Sequence, residues 1–408
     1  MNESEVVTGR GDAALLAVLA EPPAPPTLTR PLTGGGDVGA RPHLPTQIAS
    51  PSRGAGTKRR AGCYPVLRGG AEVGDSARQM AVLVTGAAGF IGFHVARALL
   101  ARGDTVVGID NLNPYYDVAL KRARLGQLSS ERNFRFVHVD IADRAAFAAA
   151  LAGDAGAGID RIVHLAAQAG VRYSLENPFA YVEANLVGHL VILEFARQLV
   201  GGLTHLVYAS SSSVYGGNTK QPFAVEDRVD APVSLYAATK KADELMSHAY
   251  SHLYGVAQTG LRFFTVYGPW GRPDMAMYLF AQAIFADRPI TLYNHGDMKR
   301  DFTFIDDAVA GTLAVLDRPP APDPRGVRHA VYNLGNNRPE PLARVIQLFE
   351  RATNRKAAIA RAPMQPGDVK ETYADIEPAR RAFGYAPRRT IDDGIPEFVA
   401  WYRRYHGV

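Results

Sequence analysis

Residues 81–92 read Ala-Val-Leu-Val-Thr-Gly-Ala-Ala-Gly-Phe-Ile-Gly, and this stretch decides the fold. It opens with small and apolar residues suited to a buried strand, and a helical pattern follows over 93–100. Gly86, Gly89 and Gly92 lie between the two, where a Cβ would block a tight turn or the approach of backbone to a phosphate. The stretch therefore predicts a strand, a turn and a helix whose first N–H groups receive a dinucleotide pyrophosphate.

The glycine spacing alone leaves a second interpretation open. The pattern is G-x-x-G-x-x-G, which departs by one residue from the commoner G-x-G-x-x-G. A glycine-rich turn between any strand and helix could look the same. The other residues of the chain must therefore decide between a cofactor site and an ordinary turn.

Composition limits the class of protein. The chain has 408 residues, and its 45 Lys and Arg nearly balance 40 Asp and Glu, so it lacks the basic footprint of a nucleic-acid or membrane-surface protein. Cys63 is the only cysteine, which excludes an intrachain disulfide or a cysteine-based zinc site, and we expect no metal and a cytoplasmic location. We expect neither a signal peptide nor an apolar stretch of about 20 residues that could span a bilayer.

The first 79 residues differ in composition from the rest. Pro, Gly, Ala and Arg follow one another there without a period of two or 3.6, so we expect a disordered extension. Met80 directly precedes the first strand. We hypothesise that residues 1–79 are a dispensable extension or the result of a mis-assigned start.

Further strands follow the glycine turn. Thr105–Asp110 is a second buried strand, and its final acid stands 24 residues after Gly86. An acid there can accept both hydroxyls of an adenosine ribose and would repel a 2′-phosphate, which favours NAD over NADP, although an Asp that only starts a turn would look alike. Strands at 134–140 and 161–167 alternate with helical patterns. This alternation predicts an α/β fold with a doubly wound parallel sheet that binds ligands at the carboxyl ends of its strands.

Polar residues follow the fifth strand, 203–209. Four serines, 210–213, come directly after it, where a solvated loop is the alternative to a site. On the next predicted helix Tyr236 and Lys240 are four residues apart and so share a face. The ammonium can stabilise a phenolate, which could then exchange a proton near neutral pH. A Tyr and a Lys four residues apart also occur by chance on helices. The pair indicates a catalytic site here because it follows the glycine turn, the strand that ends in Asp110 and the serines, in that order.

These features together resemble the extended short-chain dehydrogenase/reductases, and more narrowly the NAD-dependent sugar-nucleotide 4-epimerases, over about residues 80–408. The motifs that carry the resemblance are Gly86-x-x-Gly89-x-x-Gly92, Asp110-Asn111, Leu165-Ala-Ala-Gln168, Ser210 to Gly216, Tyr236-x-x-x-Lys240 and Lys299-Arg-Asp-Phe302. Longer stretches at 108–117, 168–174 and 265–275 resemble the UDP-glucuronate 4-epimerases in particular.

The resemblance implies a set of site residues. Catalysis would fall to Tyr236, Lys240 and Ser211. NAD would be bound by these first two and by Gly86, Gly89, Phe90, Ile91, Gly92, Asp110, Asn111, Asp140, Ile141, Leu165, Ala166, Ala167 and Gln168. A UDP-hexuronate would be bound by Ser212, Ser213 and Thr265 at its carboxylate, by Arg172 or Arg272 supplying charge there, by Arg300 at the diphosphate and by Asp368 at the ribose of UDP. Either Arg172 or Arg272 could equally be a structural ion-pair partner.

The same resemblance implies a domain plan and a quaternary state. The NAD-binding Rossmann domain would cover 80–265, with 301–335 returning to it, and a smaller C-terminal α/β domain for the sugar nucleotide would cover 266–300 and 336–408. The family usually dimerises through the helix of Tyr236 and the preceding helix, here 185–199, so we expect a homodimer. No nucleic acid or membrane partner is expected.

The implied reaction is reversible C4 epimerisation of UDP-glucuronate to UDP-galacturonate through a transient 4-keto sugar, in carbohydrate metabolism and polysaccharide biosynthesis. Three alternatives stay open: a UDP-glucuronate decarboxylase, a 4-epimerase of neutral UDP-hexoses, and a non-catalytic NAD-binding sensor. Related decarboxylases generally carry an acid beside the catalytic Ser or Thr, and the related 4,6-dehydratases carry an acidic pair where Ser212 and Ser213 stand here. The intact Tyr236, Lys240 and Ser211 argue against the sensor.

Overall fold

The computed structural model describes residues 80–408, so the predicted extension at 1–79 and Cys63 lie outside the described residues. The strands are β1 Ala81–Thr85, β2 Thr105–Asp110, β3 Phe134–His138, β4 Ile159–His164, β5 His205–Ser211, β6 Gln258–Phe263, β7 Thr265–Tyr267, β8 Ile290–Leu292, β9 Lys299–Phe304, β10 His329–Leu334, β11 Pro339–Pro341 and β12 Ile359–Arg361. The α-helices are α1 Phe90–Arg102, α2 Val118–Leu128, α3 Arg144–Ala150, α4 Tyr173–Glu176, α5 Pro178–Tyr181, α6 Gly188–Gln198, α7 Leu235–Tyr254, α8 Ala276–Phe285, α9 Ile305–Leu316, α10 Leu342–Thr353, α11 Glu377–Phe383 and α12 Ile391–His406.

Seven strands form one sheet in the order β10-β6-β5-β4-β1-β2-β3. Every neighbouring pair in it is parallel. The described part of the chain enters the sheet at its centre with β1, winds outward to β3, then returns and winds the other way. This order confirms the doubly wound α/β fold predicted from the sequence. The order reverses between β1 and β4, the place where such sheets bind ligands.

Alternation along the central strands builds two apolar cores, one on each face of the sheet. Val82 and Val84 pack in the core that also contains Phe93 and Leu99 of α1. Their neighbour Leu83 packs in the second core, with residues of α3 and α6. Successive side chains of a strand point to opposite faces, so a strand covered on both faces is apolar on both, as β1 is from Ala81 to Val84.

Two small sheets stand beyond the large one. In the first, β9 pairs parallel with β7 and antiparallel with β11. In the second, β8 pairs parallel with β12. The helix α12, whose apolar pattern is visible in the sequence, buries Ile391, Ile395 and Phe398.

The bounds of β3, β4 and β5 differ from the predicted 134–140, 161–167 and 203–209. The strand β5 runs on to Ser211, because Ser210 and Ser211 pair with residues of β6. The strand β4 stops at His164, since its partner β1 ends at Thr85, the residue that pairs with His164. Strand length is thus set by the neighbour in the sheet, which the sequence of one strand does not specify.

One helical run in the described chain, Pro178–Gln198, is long and apolar enough to cross a membrane by length and composition alone. It contains α5, a π-helical segment at Val182–Val187 and α6. The sequence led us to expect no such stretch. A single run of this kind is weak support for a membrane span, because helices that pack in a protein core meet the same criterion.

Candidate active site

A cavity of about 1140 Å³ lies at the carboxyl ends of the central strands. All residues predicted for the site are found on its wall: Gly86, Gly89, Phe90, Ile91, Gly92, Asp110, Asn111, Asp140, Ile141, Leu165, Ala166, Ala167, Gln168, Arg172, Ser211, Ser212, Ser213, Tyr236, Lys240, Thr265, Arg272, Arg300 and Asp368. The fold therefore brings together side chains that are spread over almost 300 residues of sequence.

The glycine turn fits a dinucleotide pyrophosphate. Gly86 has φ +74°, and a Cβ on it would lie 2.8 Å from the backbone nitrogen of Ala166. A Cβ on Gly92 would lie 2.0 Å from the carbonyl oxygen of Gly86. Helix α1 begins after Gly89 without a side-chain cap, so its first N–H groups remain for an anion. The turn is thus closed tightly by glycines and offers donors where the phosphates of NAD would be held.

Asp110 is held in place at the end of β2. Its carboxylate accepts hydrogen bonds from the backbone nitrogens of Ala88 at 3.1 Å and Leu112 at 2.8 Å, and Lys121 Nζ lies 3.8 Å away. Each carboxylate oxygen has a further lone pair for a ribose hydroxyl. Asn111 Nδ2 donates to Asp140 Oδ2 at 2.8 Å, which links the ends of β2 and β3. This edge of the cavity fits the adenosine end of NAD.

Helix α7 carries the predicted catalytic pair. The helix starts where the Ser234 hydroxyl accepts a hydrogen bond from the nitrogen of Ala237 at 3.1 Å. Lys240 is buried, and its Nζ donates to Asp243 Oδ2 at 3.0 Å one turn further on. The ring of Tyr236 packs edge to face against Tyr181, with 6.0 Å between centroids. The lysine is therefore fixed from within its own helix.

The four serines divide into two roles. Ser210 turns inward, where its hydroxyl donates to Glu244 Oε1 at 2.7 Å. Glu244 also accepts two hydrogen bonds from the buried Arg262, at 2.8 and 2.9 Å. Ser211 Oγ accepts from the nitrogen of Ser213 and donates to the Ser213 hydroxyl, both at 3.1 Å. Ser210 thus anchors β5 to α7, and the serines after it line the cavity.

The hydroxyls of Ser212 and Thr265, both on the wall, have no hydrogen-bond partner among residues 80–408. Both residues are only partly exposed. A hydroxyl in such a position can still donate one hydrogen bond and accept others. The wall therefore offers two donors to a bound molecule at the ends of β5 and β7.

Arg272 lies on the loop between β7 and α8. Its Nε donates to Asp274 Oδ1 at 3.0 Å and its Nη2 donates to Oδ2. Burial would raise the pKa of Asp274, but the charge and hydrogen bonds of Arg272 outweigh it and hold that pKa below its usual value. Tyr115 donates to Asp274 Oδ2 at 3.1 Å, and its pKa is raised to about 12, chiefly by burial and then by Asp274. Arg272 Nη1 has no acceptor among residues 80–408.

The far end of the cavity holds the other predicted cations. Arg172 Nη2 lies 3.3 Å from Asp368 Oδ2, and the guanidinium stands over the ring of Tyr293 at 4.6 Å. Arg300 Nη1 donates to the backbone oxygens of Lys299 and Lys370. Arg172 is thus an ion-pair partner of another predicted site residue.

Sequence reasoning missed four residues that organise the site. These are Asp243, which accepts from Lys240, Asp274, which accepts from Arg272, Tyr115, which donates to Asp274, and Asn185. The side-chain amide of Asn185 forms hydrogen bonds with the backbone nitrogen and oxygen of Gln168 and with the hydroxyl of Thr239. Asp274 lies two residues after Arg272, and an acid so close to an arginine in sequence indicates an ion pair between the two side chains. The other contacts join segments far apart in sequence or adjacent helical turns, and nothing in the local pattern marks them.

Comparison with known proteins identifies the family. Residues 82–335 match the model of the NAD dependent epimerase/dehydratase family. The chain is 48% identical over 345 residues to a probable UDP-glucuronate 4-epimerase of Rhizobium meliloti, covering 80% of this chain and 99% of the relative. It is 45% identical over 356 residues to UDP-glucuronate 4-epimerase 4 of Arabidopsis thaliana, covering 83% of this chain and 79% of the relative.

A crystal structure of the UDP-glucuronic acid 4-epimerase from Bacillus cereus, in complex with UDP-glucuronic acid and NAD, superposes on this fold with a TM-score of 0.72. The two chains share 33% identity, and the match covers 80% of this chain and 100% of the other. The family match, 82–335, contains the glycine turn, the Tyr-Lys helix α7 and strands β2 to β10. The chain belongs to the NAD-dependent epimerase/dehydratase family.

Proposed function

We propose that the protein interconverts UDP-glucuronate and UDP-galacturonate by inverting C4 of the sugar. The observation that carries this proposal is a single cavity that combines a dinucleotide turn, the Tyr236–Lys240 pair and unpartnered donors at Ser212 and Thr265. Bound NAD would take up the C4 hydride and return it to the opposite face, which leaves the net redox state unchanged. The similarity to 4-epimerases of UDP-glucuronate supports the choice of substrate.

The proposed proton transfer falls to Tyr236. As a phenolate it removes the proton of the C4 hydroxyl, and as a phenol it returns one after inversion. Lys240 stabilises the phenolate and holds the nicotinamide ribose, and its burial beside Asp243 supports a fixed position. Ser211 bridges to the reacting oxygen. Arg272 lies on the wall of the same cavity as Tyr236.

The carboxylate of the sugar explains the donors on the wall. A 4-keto hexuronate is a β-keto acid, which loses CO2 when the bond to the carboxylate aligns with the carbonyl π system. We propose that Ser212, Ser213 and Thr265 hold the carboxylate out of that alignment, and that Arg272 Nη1 supplies charge. A neutral hexose does not require this set of donors, which is why we favour a hexuronate.

The nucleotide end of the substrate would lie at the far end of the cavity. We assign Arg300 to the diphosphate and Asp368 to the ribose of UDP, with Arg172 as the ion-pair partner that holds Asp368. Within the proposal, 80–265 and 301–335 serve the cofactor, and 266–300 and 336–408 serve the sugar nucleotide. The return of β10 to the large sheet beside β6 supports this division.

The product assay tests the proposal. Purified protein is incubated with UDP-glucuronate without added reductant, and products are followed by NMR. UDP-galacturonate without CO2 supports the proposal; a UDP-pentose or its 4-ketone indicates a decarboxylase, and no turnover supports a binding protein. Tyr236→Phe should abolish turnover and leave NAD bound, whereas Tyr332→Phe, on β10 away from the cavity, should behave as wild type.

We also propose a homodimer that pairs α6 and α7 with their copies. Exposed apolar side chains on these two helices support it: Leu190 is 41% exposed, Leu245 59% and Leu253 64%. Leu253→Arg should give a monomer by size-exclusion chromatography with light scattering. The control is Ile359→Arg, which changes an exposed apolar residue on β12, and a variant Leu253→Arg that remains dimeric overturns this interface. We further assign the enzyme to the cytoplasm and to polysaccharide biosynthesis.

A further inference from the structure

The loop that carries Arg272 is pinned through three consecutive carbonyl groups. His94 Nε2 donates to the carbonyl oxygen of Pro269 at 2.9 Å. Arg124 donates to the oxygen of Trp270 from Nε at 3.2 Å and from Nη2 at 2.6 Å, and to the oxygen of Gly271 from Nη2 at 3.2 Å. Both donors belong to helices α1 and α2, which follow the cofactor strands. The backbone immediately before Arg272 is therefore fixed by the cofactor half of the cavity.

Arg124 connects this loop to the glycine turn. Its side chain is fully buried, and its Nη1 donates to the backbone oxygen of Ala88 at 2.9 Å and to the Tyr116 hydroxyl at 2.8 Å. No carboxylate among residues 80–408 forms an ion pair with it. A planar guanidinium can donate in fixed directions to several acceptors at once, which a lysine ammonium cannot do. One side chain thus ties together the turn at 86–89, the loop after β2 and the loop before α8.

The backbone of the pinned loop is strained. Trp270 has φ +63°, in the left-handed region that a residue with a Cβ rarely adopts. Such a conformation persists only where the surroundings over-determine it. Here the carbonyl oxygens of Pro269, Trp270 and Gly271 all accept hydrogen bonds. The indole of Trp270 packs against Trp401 at 5.4 Å and Tyr405 at 5.2 Å between ring centroids. Loss of the Arg124 fork would let the loop relax and move Arg272.

His94 contributes a second, neutral clamp. Burial, followed by the charge of Arg97, lowers the pKa of His94 to about 3. Its Nδ1 accepts a hydrogen bond from Arg97 Nη2 at 3.0 Å, so the proton stays on Nε2, the atom that bonds Pro269. Arg124 is therefore the charged member of the clamp and the one that reaches the glycine turn.

We infer that Arg124 is a positioning residue: it sets Arg272 relative to the glycine turn and thereby gives the site its preference for a sugar carboxylate. The inference rests on the proposed function, which places Arg272 at that carboxylate. Arg124 lies behind the cavity wall and acts through the carbonyls that it holds. Its loss should weaken recognition of the hexuronate more than it weakens the hold on NAD.

The test uses the NAD-loaded enzyme with Arg124→Lys. This change keeps the positive charge and removes the forked guanidinium that donates to the carbonyl oxygens of Trp270 and Gly271. Arg122→Lys, an exposed arginine on the same helix, is the matched control. Binding of UDP-glucuronate and of UDP-glucose is measured by calorimetry, together with NAD content, KM and kcat. We expect Arg124→Lys to retain NAD. The ratio of its affinities for UDP-glucuronate and UDP-glucose should fall roughly tenfold, which is the effect of one charge-assisted hydrogen bond.

A double-mutant cycle separates positioning from general destabilisation. If Arg124 acts through Arg272, then Arg124→Lys combined with Arg272→Gln should show the same preference as Arg272→Gln alone. Additive losses, or an unchanged preference in Arg124→Lys, overturn the inference. Should Arg124→Lys fail to fold, Tyr116→Phe removes one partner of the fork and is measured in the same way, and an unchanged preference there overturns it too. Wild-type enzyme without any preference for UDP-glucuronate overturns the proposed function as well.

Discussion

Gly92→Ala is the substitution whose effect the structure determines most closely. The new Cβ would lie 2.0 Å from the carbonyl oxygen of Gly86 and 2.7 Å from its carbonyl carbon. Contacts of side-chain carbon closer than 3.0 Å essentially do not occur, so the turn must open by about 1 Å. Both contacts are with backbone atoms, which cannot rotate away as a side chain would. A displacement of about 1 Å in a binding element can cost roughly 100-fold in activity.

The assay for Gly92→Ala measures the NAD retained after purification, released by denaturing the protein, together with turnover of UDP-glucuronate. The matched control is Gly126→Ala on α2, where a Cβ meets nothing within 4 Å. That change should be neutral or stabilise the helix by up to about 1 kcal/mol. We expect Gly92→Ala to lose most of its NAD and Gly126→Ala to keep it. Full NAD content and wild-type turnover in Gly92→Ala would refute the assignment of the turn.

Three further predictions concern stability and product. Glu244→Gln leaves the buried Arg262 without its carboxylate and should lower the free energy of unfolding in urea by about 3–5 kcal/mol; a loss under 1 kcal/mol would contradict this. Burial lowers the pKa of His205 from 6.5 to about 4. As the pH falls from 6.5 to about 4, the imidazole is therefore protonated in the unfolded chain and stays neutral in the folded one. The free energy of unfolding should drop by up to about 1.4 kcal/mol per pH unit in this range. His205→Gln should flatten that slope and exposed His252→Gln should not. Thr265→Val should raise the decarboxylated fraction of product seen by NMR, and an unchanged fraction counts against its role.

The fold was predictable because its central strands are apolar on both faces. The runs at 81–85 and 105–110 end where the structure ends them, since glycines and an acid mark both boundaries. The strand that contains Ser210 and Ser211 could not be bounded from its own sequence, because pairing with β6 extends it. Local patterns thus placed β1 to β5, and neighbours in the sheet set the lengths of the strands.

The residues that line the candidate site could be named from the sequence, but most of the hydrogen bonds that hold them in place could not. Tyr236 and Lys240 share a helical face, a relation that the sequence states directly. Asp274, the partner of Arg272, accepts a hydrogen bond from Tyr115, which lies 159 residues earlier in the chain. Arg124 donates to carbonyl groups up to 147 residues away. Backbone acceptors carry no sequence signature, so a clamp built on them is visible only in the folded chain.

The central claim is an inversion at C4 in which the hydrogen leaves and returns within one site. The most direct measurement follows UDP-glucuronate that carries deuterium at C4, by NMR and mass spectrometry, through conversion in ordinary water. The proposed mechanism predicts UDP-galacturonate that retains the deuterium at the inverted C4. Product that has exchanged this deuterium for solvent hydrogen would contradict the mechanism.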